Sequence, residues 1–223
     1  MLKQFILGVM GGLVIALGAA AYLGGSTVAI FGSLIGALLL AAAFVAVAYS
    51  GYGLFTDRVS LLPAAPTRGD LAGVGMTLLG NFLATTALGY LVLLVFEDTL
   101  AASAKALAMT KLAAPWHAVL LRAVLCGILL YLAFSILRER RSPIGILLLV
   151  PAFLLAGFEH AVTDMFYLAA SGIDDWKELL FLVLALLGNA IGVLILPLLS
   201  SLTKDGEPAP EEPEDEASDE VAE

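Results

Sequence analysis

The stretch AGFEHAVTDMF, residues 156–166, places three ionisable side chains between long apolar runs: Glu159, His160 and Asp164. Charge inside an apolar helix is energetically costly, so an ionisable residue in such a position indicates a functional role. The reference pKa of histidine is about 6.5, which makes His160 a candidate for accepting and releasing a proton near neutral pH. Asp164 lies four residues after His160, on the same helical face, where it could orient the histidine or lie at the mouth of a channel.

Further charged residues lie beside this stretch or in neighbouring apolar runs. Glu159 points away from His160, and it could cap backbone amides freed at a helix break, or pair with Arg122 or a neighbouring subunit. Lys111 stands at the start of an apolar run, where a lysine either anchors the helix at the membrane interface or concentrates anions in an outer vestibule. Arg122 lies about two turns into the same run, which favours a structural role with a polar partner.

A second interrupted segment, SGYGLFT, supplies bulky apolar residues and one hydroxyl. Leu54 and Phe55 follow its glycines, and Phe153 precedes the stretch that contains His160. These three side chains either pack in the core or form apolar constrictions above and below His160. In the second case Thr56 would offer a hydroxyl between the constrictions.

The composition places these residues in a membrane protein. The chain of 223 residues is 61% hydrophobic and only 14% charged, with a mean hydropathy of +0.99. A soluble domain of this size has about 25% charged residues. We therefore expect residues 1–203 to form a domain that spans the membrane.

The net charge of −9 comes from the C-terminal tail. Residues 204–223 carry ten acidic residues and one lysine, which leaves ten acidic and ten basic residues in the remainder. This tail is rich in proline and glutamate, so we expect it to be disordered and cytoplasmic. The sequence has no basic patch that could neutralise phosphates, which argues against nucleic-acid binding.

The types of polar residue also limit the chemistry. One cysteine, Cys126, permits neither an intrachain disulfide nor a thiolate metal cluster. No nucleophile–base pair or set of metal ligands is evident in the sequence. We therefore expect neither an enzyme nor a resident metal or cofactor.

The apolar runs predict six transmembrane helices, because a span needs about 20 apolar residues. The second is broken near 50–56 and the fifth near residue 157, and an amphipathic connection follows the third at 96–111. The predicted spans are about 4–24, 27–50, 71–96, 114–137, 144–170 and 176–201. With both termini inside, the inner connections hold seven Lys and Arg residues and the outer ones three, which favours cytoplasmic termini.

A repeat relates the two halves of the chain. LLGN occurs at 78–81 and again at 186–189, and the interruptions at 50–56 and 157–160 are separated by a similar number of residues. Each half holds three spans, so the halves must point in opposite directions. Paired interruptions in an inverted repeat are typical of a transport site, where half-helix ends can face an anion.

These residues resemble the formate/nitrite transporter family over residues 3–200. GFEHAVTDMF is similar to the family's GFEHxxANM stretch, SGYGLFTD to its loop in broken helix two, and KLAAPWHAVLLRAVLC to its Lys-x10-Arg-Gly-Ile-Leu-Cys-Asn pattern. The matching positions are Leu54, Phe55, Thr56, Asn81, Lys111, Arg122, Cys126, His160 and Asn189.

The resemblance implies a homopentamer of aquaporin-like protomers in the inner (plasma) membrane of a prokaryote, with one pore per subunit for small monovalent anions such as formate or nitrite. By matching position, Phe153 and Leu54 would form constrictions, Thr56 and His160 the middle site, and Lys111 the outer vestibule. We expect the anion to meet a proton at His160, so the expected partners are the anion, protons and the bilayer.

Three departures from the family pattern leave alternatives open. Gly127 stands where the family has asparagine after the cysteine, Asp57 follows Thr56 where the family has a small residue, and Asp164 replaces the asparagine of ANM. With these changes, a channel for neutral solutes or cations, or a membrane protein without transport, remains an alternative.

Overall fold

The computed structural model describes residues 1–28 and 31–204, and the regular secondary structure within these ranges is entirely helical. The helices are α1 (Leu2–Ser26), α2 (Gly32–Ser50), α3 (Phe55–Ser60), α4 (Arg68–Val95), α5 (Ala102–Leu112), α6 (Trp116–Arg140), α7 (Ile144–Leu155), α8 (Ala161–Ser171) and α9 (Lys177–Lys204). A π-helical segment, Glu97–Ala101, precedes α5. The all-α prediction is therefore confirmed for this part of the chain, and the acidic tail after Lys204 lies outside the described residues.

Five of these helices, α1, α2, α4, α6 and α9, are long and apolar enough to cross a membrane. Their outward surfaces carry large exposed apolar side chains, among them Leu94 at 80% exposure and Leu179 at 71%. Lipid tails favour such surfaces, whereas water does not. The predicted fifth span is present as the two shorter helices α7 and α8.

The chain is interrupted at the two places where the sequence predicts breaks. Gly51 ends α2 with a φ of +68°, and Gly157 follows α7 with a φ of +71°. No atom lies within 4 Å of a Cβ built on either glycine. The left-handed backbone conformation, rather than crowding, therefore explains the use of glycine at both breaks.

Close backbone approach holds the long helices together in two similar pairs. α1 packs on α4, and α6 packs on α9. A Cβ on Gly80 of α4 would lie 2.6 Å from the Val9 nitrogen, and a Cβ on Gly188 of α9 would lie 2.7 Å from the Leu120 oxygen. Small residues permit such contacts between helices in lipid.

The connection after α4 is helical, as its amphipathic pattern suggests, but it is not confined to the surface. Ala104 and Ala108 of α5 are fully buried, and α5 contacts α8. This burial places Lys111, near the end of α5, against the segment that contains His160.

Candidate functional site

His160 lies at the break between α7 and α8 and is the residue that precedes the first turn of α8. Its side chain is 1% exposed. The imidazole lies beside two aromatic rings, with centroid distances of 5.2 Å to Phe44 and 6.1 Å to Phe153. Neither ring nitrogen has a hydrogen-bond partner among the described residues. A fully buried polar group without a hydrogen-bond partner is unusual. The two ring nitrogens of His160 are therefore available to hydrogen-bond a small molecule that enters the core.

The other break carries the apolar residues and the hydroxyl that the sequence singled out. Leu54 and Thr56 are fully buried, and Phe55 is 8% exposed. The Thr56 hydroxyl oxygen also lacks a partner in the described part of the chain. Leu54 and Phe55 belong to the same buried cluster as Phe44 and Phe153, so the two breaks meet in one apolar core.

Two buried asparagines tie the breaks to the long helices. The Asn81 side chain donates to the carbonyls of Gly8 (2.7 Å) and Gly53 (2.9 Å) and accepts from the Phe55 amide (2.9 Å). Satisfying backbone groups in this way is necessary where a helix stops inside a membrane.

Asn189 does the same at the second break. Its side chain donates to the carbonyls of Ala123 (2.9 Å) and Glu159 (2.8 Å) and accepts from the Ala161 amide (2.9 Å). The capping role that was one interpretation of Glu159 therefore belongs to Asn189, because an amide side chain can donate and accept at once.

The Glu159 carboxylate instead belongs to a buried ion-pair cluster around Lys111. The Lys111 ammonium donates to Glu159 through a short contact and lies 2.9 Å from Asp164. Arg122 is 3.8 Å from the other oxygen of Glu159, which is one of the pairings considered from the sequence. Lys111 is 12% exposed, and the two carboxylates are almost completely buried.

Cavities lie at opposite ends of α6. Near its first residue, a cavity of about 240 Å³ is lined by Lys111, Trp116, Trp176, Lys177 and Phe181, among others. Near its last turns, a cavity of about 150 Å³ is lined by Tyr52, Leu54, Asp57, Arg58 and Arg138, among others. Trp116 and Arg138 are about 33 Å apart along the helix, close to the thickness of a bilayer core.

An ion pair lies at the second of these cavities. Arg138 donates to Asp57 over 2.8 Å, and Arg138 also contacts the Ser135 hydroxyl at 3.3 Å. Asp57 is one of the residues that depart from the family pattern, and its partner Arg138 was not singled out from the sequence.

Gly127, the second departure, lies in a close helix contact. A Cβ at this position would be 2.6 Å from the backbone carbonyl oxygen of Asn189 and 2.9 Å from the Cα of Gly192. The position therefore faces α9, and this packing leaves no room for an asparagine side chain. The neighbouring Cys126 is fully buried.

Sequence reasoning missed Phe44, the aromatic ring nearest to His160. Phe44 lies in a continuous apolar run of α2, so nothing in the pattern distinguishes it from its neighbours. The hydrogen bonds of the Asn81 and Asn189 side chains could have been predicted, because polar residues in apolar helices require partners.

The fold and the site define a helical membrane protein with two broken segments that meet in its core. The chain matches the family model described as formate/nitrite transporter over residues 1–202, so it belongs to that family, and the family prediction is confirmed.

Solved structures with the same fold support this assignment. One is described as a pentameric formate channel with formate bound; it matches with a TM-score of 0.78 and 21% identity over 90% of this chain and 96% of that one. Another, an FNT family ion channel, matches with a TM-score of 0.75 and 21% identity over 91% and 90% of the two chains. No curated protein sequence matches the chain.

Proposed function

We propose that this protein is a membrane channel for small monovalent weak-acid anions such as formate or nitrite, which cross together with a proton that binds at His160. The observation that carries the proposal is the buried imidazole, whose two ring nitrogens have no partner among the described residues. An imidazole between two aromatic rings can exchange a proton with a small molecule that passes it.

The energetics favour movement of the neutral acid through the apolar core. The idealised cost of moving a bare anion into such surroundings is of order 20 kcal/mol, of which several remain after relaxation. Protonating a carboxylate of pKa about 3.5 at pH 7 requires about 4–5 kcal/mol, at about 1.4 kcal/mol per pH unit. The neutral acid then passes apolar side chains at little further cost.

The pathway joins the two cavities at the ends of α6. From the cavity at Lys111 it passes Phe153 and reaches His160, and it leaves past Thr56 and Leu54. The fully buried Phe153 and Leu54 act as constrictions that exclude water. The Thr56 hydroxyl, which lacks a partner in the described residues, hydrogen-bonds the acid between them.

The proposal includes an inverted repeat of two three-span halves. Its support is the matching use of Asn81 and Asn189, each of which donates to two carbonyls and accepts from one amide at its break. The excess of basic residues in the inner connections supports cytoplasmic termini, which protease digestion of the tail in inside-out vesicles tests. The similarity to a solved structure described as a pentameric formate channel supports a homopentamer, and we propose the plasma membrane of a prokaryote as its location.

The test is uptake of formate into proteoliposomes, with a pH indicator inside to follow protons. We expect the wild-type protein to carry formate and protons together, and His160→Phe to lose the coupled flux or to replace it by an uncoupled anion current. Phe removes both ring nitrogens and keeps an aromatic ring beside Phe44. Unchanged flux with unchanged proton movement in the variant would refute the role of His160.

A second candidate is a channel for neutral solutes or cations. Carboxylates pair with Lys111 and Arg138 at the two cavities, so neither of these cations is free to attract an anion. Swelling of the same proteoliposomes in urea or ammonium, without formate uptake, would favour this candidate.

A further inference from the structure

Lys111 contacts two carboxylates at once. Its ammonium lies 2.9 Å from Asp164 and also donates to Glu159. The same side chain lines the cavity of about 240 Å³ at the start of α6. Lys111 is therefore the charged group between that cavity and the segment that contains His160.

Asp164 is positioned to affect what reaches His160. It lies in the first turn of α8, four residues after His160, and its carboxylate is 2.9 Å from the Lys111 ammonium. Its side chain is 1% exposed. A charge so close to the pathway acts through a low effective dielectric and is weakly screened by salt.

Among the described residues, two other cations near Lys111 also lie close to carboxylates. Arg122 of α6 is 3.8 Å from Glu159, and Lys177 of α9 is 4.0 Å from Asp175. The other titratable groups facing the cluster include His160, Cys126 and Tyr167, and the Tyr167 ring lies 5.9 Å from the Lys111 ammonium. This end of the protein therefore presents no excess positive charge from these groups.

We propose that Asp164 is a specificity-determining residue: together with Glu159 it compensates the charges of Lys111 and Arg122, so the cluster offers no net positive charge to a bare anion. The inference rests on the proposed function and names the residue that excludes the anions of strong acids, while weak acids such as formate pass. A weak-acid anion takes up a proton at His160 and passes the apolar core as the neutral acid. The anion of a strong acid cannot be protonated at neutral pH, and it would have to displace a carboxylate from Lys111.

The experiment compares formate and nitrate fluxes through the same proteoliposomes at one pH. Nitrate is planar and small like formate, but its acid is strong. Asp164→Asn keeps the shape of the side chain and removes its charge, whereas Asp164→Glu keeps the charge. Asp174→Asn is the matched control, because Asp174 is an exposed acid on the loop that leads to α9 and makes no ion pair with Lys111.

We expect Asp164→Asn to raise the nitrate-to-formate flux ratio by about tenfold, which corresponds to about 1.4 kcal/mol. Asp164→Glu and Asp174→Asn should leave the ratio within about twofold of wild type. In the double variant Lys111→Gln/Asp164→Asn the gain should disappear, because its source is the net positive charge that Asp164→Asn alone leaves on the cluster of Lys111, Arg122 and Glu159. Elution as a single species in size-exclusion chromatography verifies that each variant folds.

The results separate this inference from the proposed function. Wild-type protein that carries no formate would refute the proposed function itself. Wild-type protein that carries formate but carries nitrate equally well would refute the role of Asp164 alone. An unchanged ratio in a folded Asp164→Asn variant would refute it as well, as would an equal gain in Asp174→Asn.

Discussion

At the scale of single residues, two asparagines let helices end inside an apolar environment. Asn81 satisfies two carbonyls and one amide, and Asn189 satisfies the corresponding groups 108 residues later. Water cannot serve this purpose in the membrane core. The breaks, and with them the positions of Thr56 and His160, therefore depend on two side-chain amides.

This dependence predicts a large effect of Asn81→Leu on stability. The substitution removes three hydrogen bonds and leaves buried backbone groups unsatisfied, each of which costs about 1–3 kcal/mol. We expect a loss of at least about 2 kcal/mol in the free energy of unfolding in detergent. Thr85→Val, on the same helix, should cost less than about 1 kcal/mol, because the Thr85 hydroxyl bonds only to carbonyls of its own helix. Equal losses would contradict the role of Asn81.

Some residues of the candidate site could be predicted from the sequence, whereas their neighbours and ion-pair partners could not. His160 was identifiable because an ionisable residue in an apolar run requires a reason. Its neighbour Phe44 was not, because aromatic residues are ordinary in a membrane helix. The pairing of Lys111 with Glu159 spans 48 positions, and no local pattern records contacts between elements so distant in sequence.

At the scale of elements, a few glycines decide where helices stop and how closely they pack. Gly51 and Gly157 adopt a left-handed conformation that ends α2 and α7. Their positions were predictable, since the stretches SGYGLFT and GFEH combine these glycines with polar residues that interrupt the apolar runs. Which of the remaining glycines lie in helix contacts was not predictable from composition, because the contact depends on the rotation of each helix.

Two glycines of α4 provide a matched comparison. A Cβ on Gly80 would lie 2.6 Å from the Val9 nitrogen, whereas nothing lies within 4 Å of a Cβ on Gly75. We expect Gly80→Ala to destabilise the protein by about 1–3 kcal/mol through overpacking. Gly75→Ala should be neutral or stabilising by about 0.5–1 kcal/mol, because alanine favours the helix. Thermal unfolding in detergent measures both, and an unaffected Gly80→Ala would contradict the close contact of α1 and α4.

At the scale of the whole molecule, α6 separates two cavities by about the thickness of a bilayer core, and His160 lies in the buried region of the fold. Each cavity contains a cation paired with a carboxylate, Lys111 at one end and Arg138 at the other, and Arg58 also lines the second cavity. The proposed pathway therefore relies on charge compensation at its mouths and on proton exchange at its centre.

The proposed assembly makes a separate prediction. A homopentamer of this chain of 23.2 kDa would have a protein mass of five times that value. Sedimentation of the purified protein in detergent, corrected for bound detergent, measures this mass. A single species at the mass of one chain would contradict the pentamer.

The most direct test of the central claim is the ratio of protons to formate that enter proteoliposomes containing the wild-type protein. We expect one proton per formate and no net current, because the acid crosses the apolar core in neutral form. Formate uptake that carries current, with no accompanying proton, would contradict it.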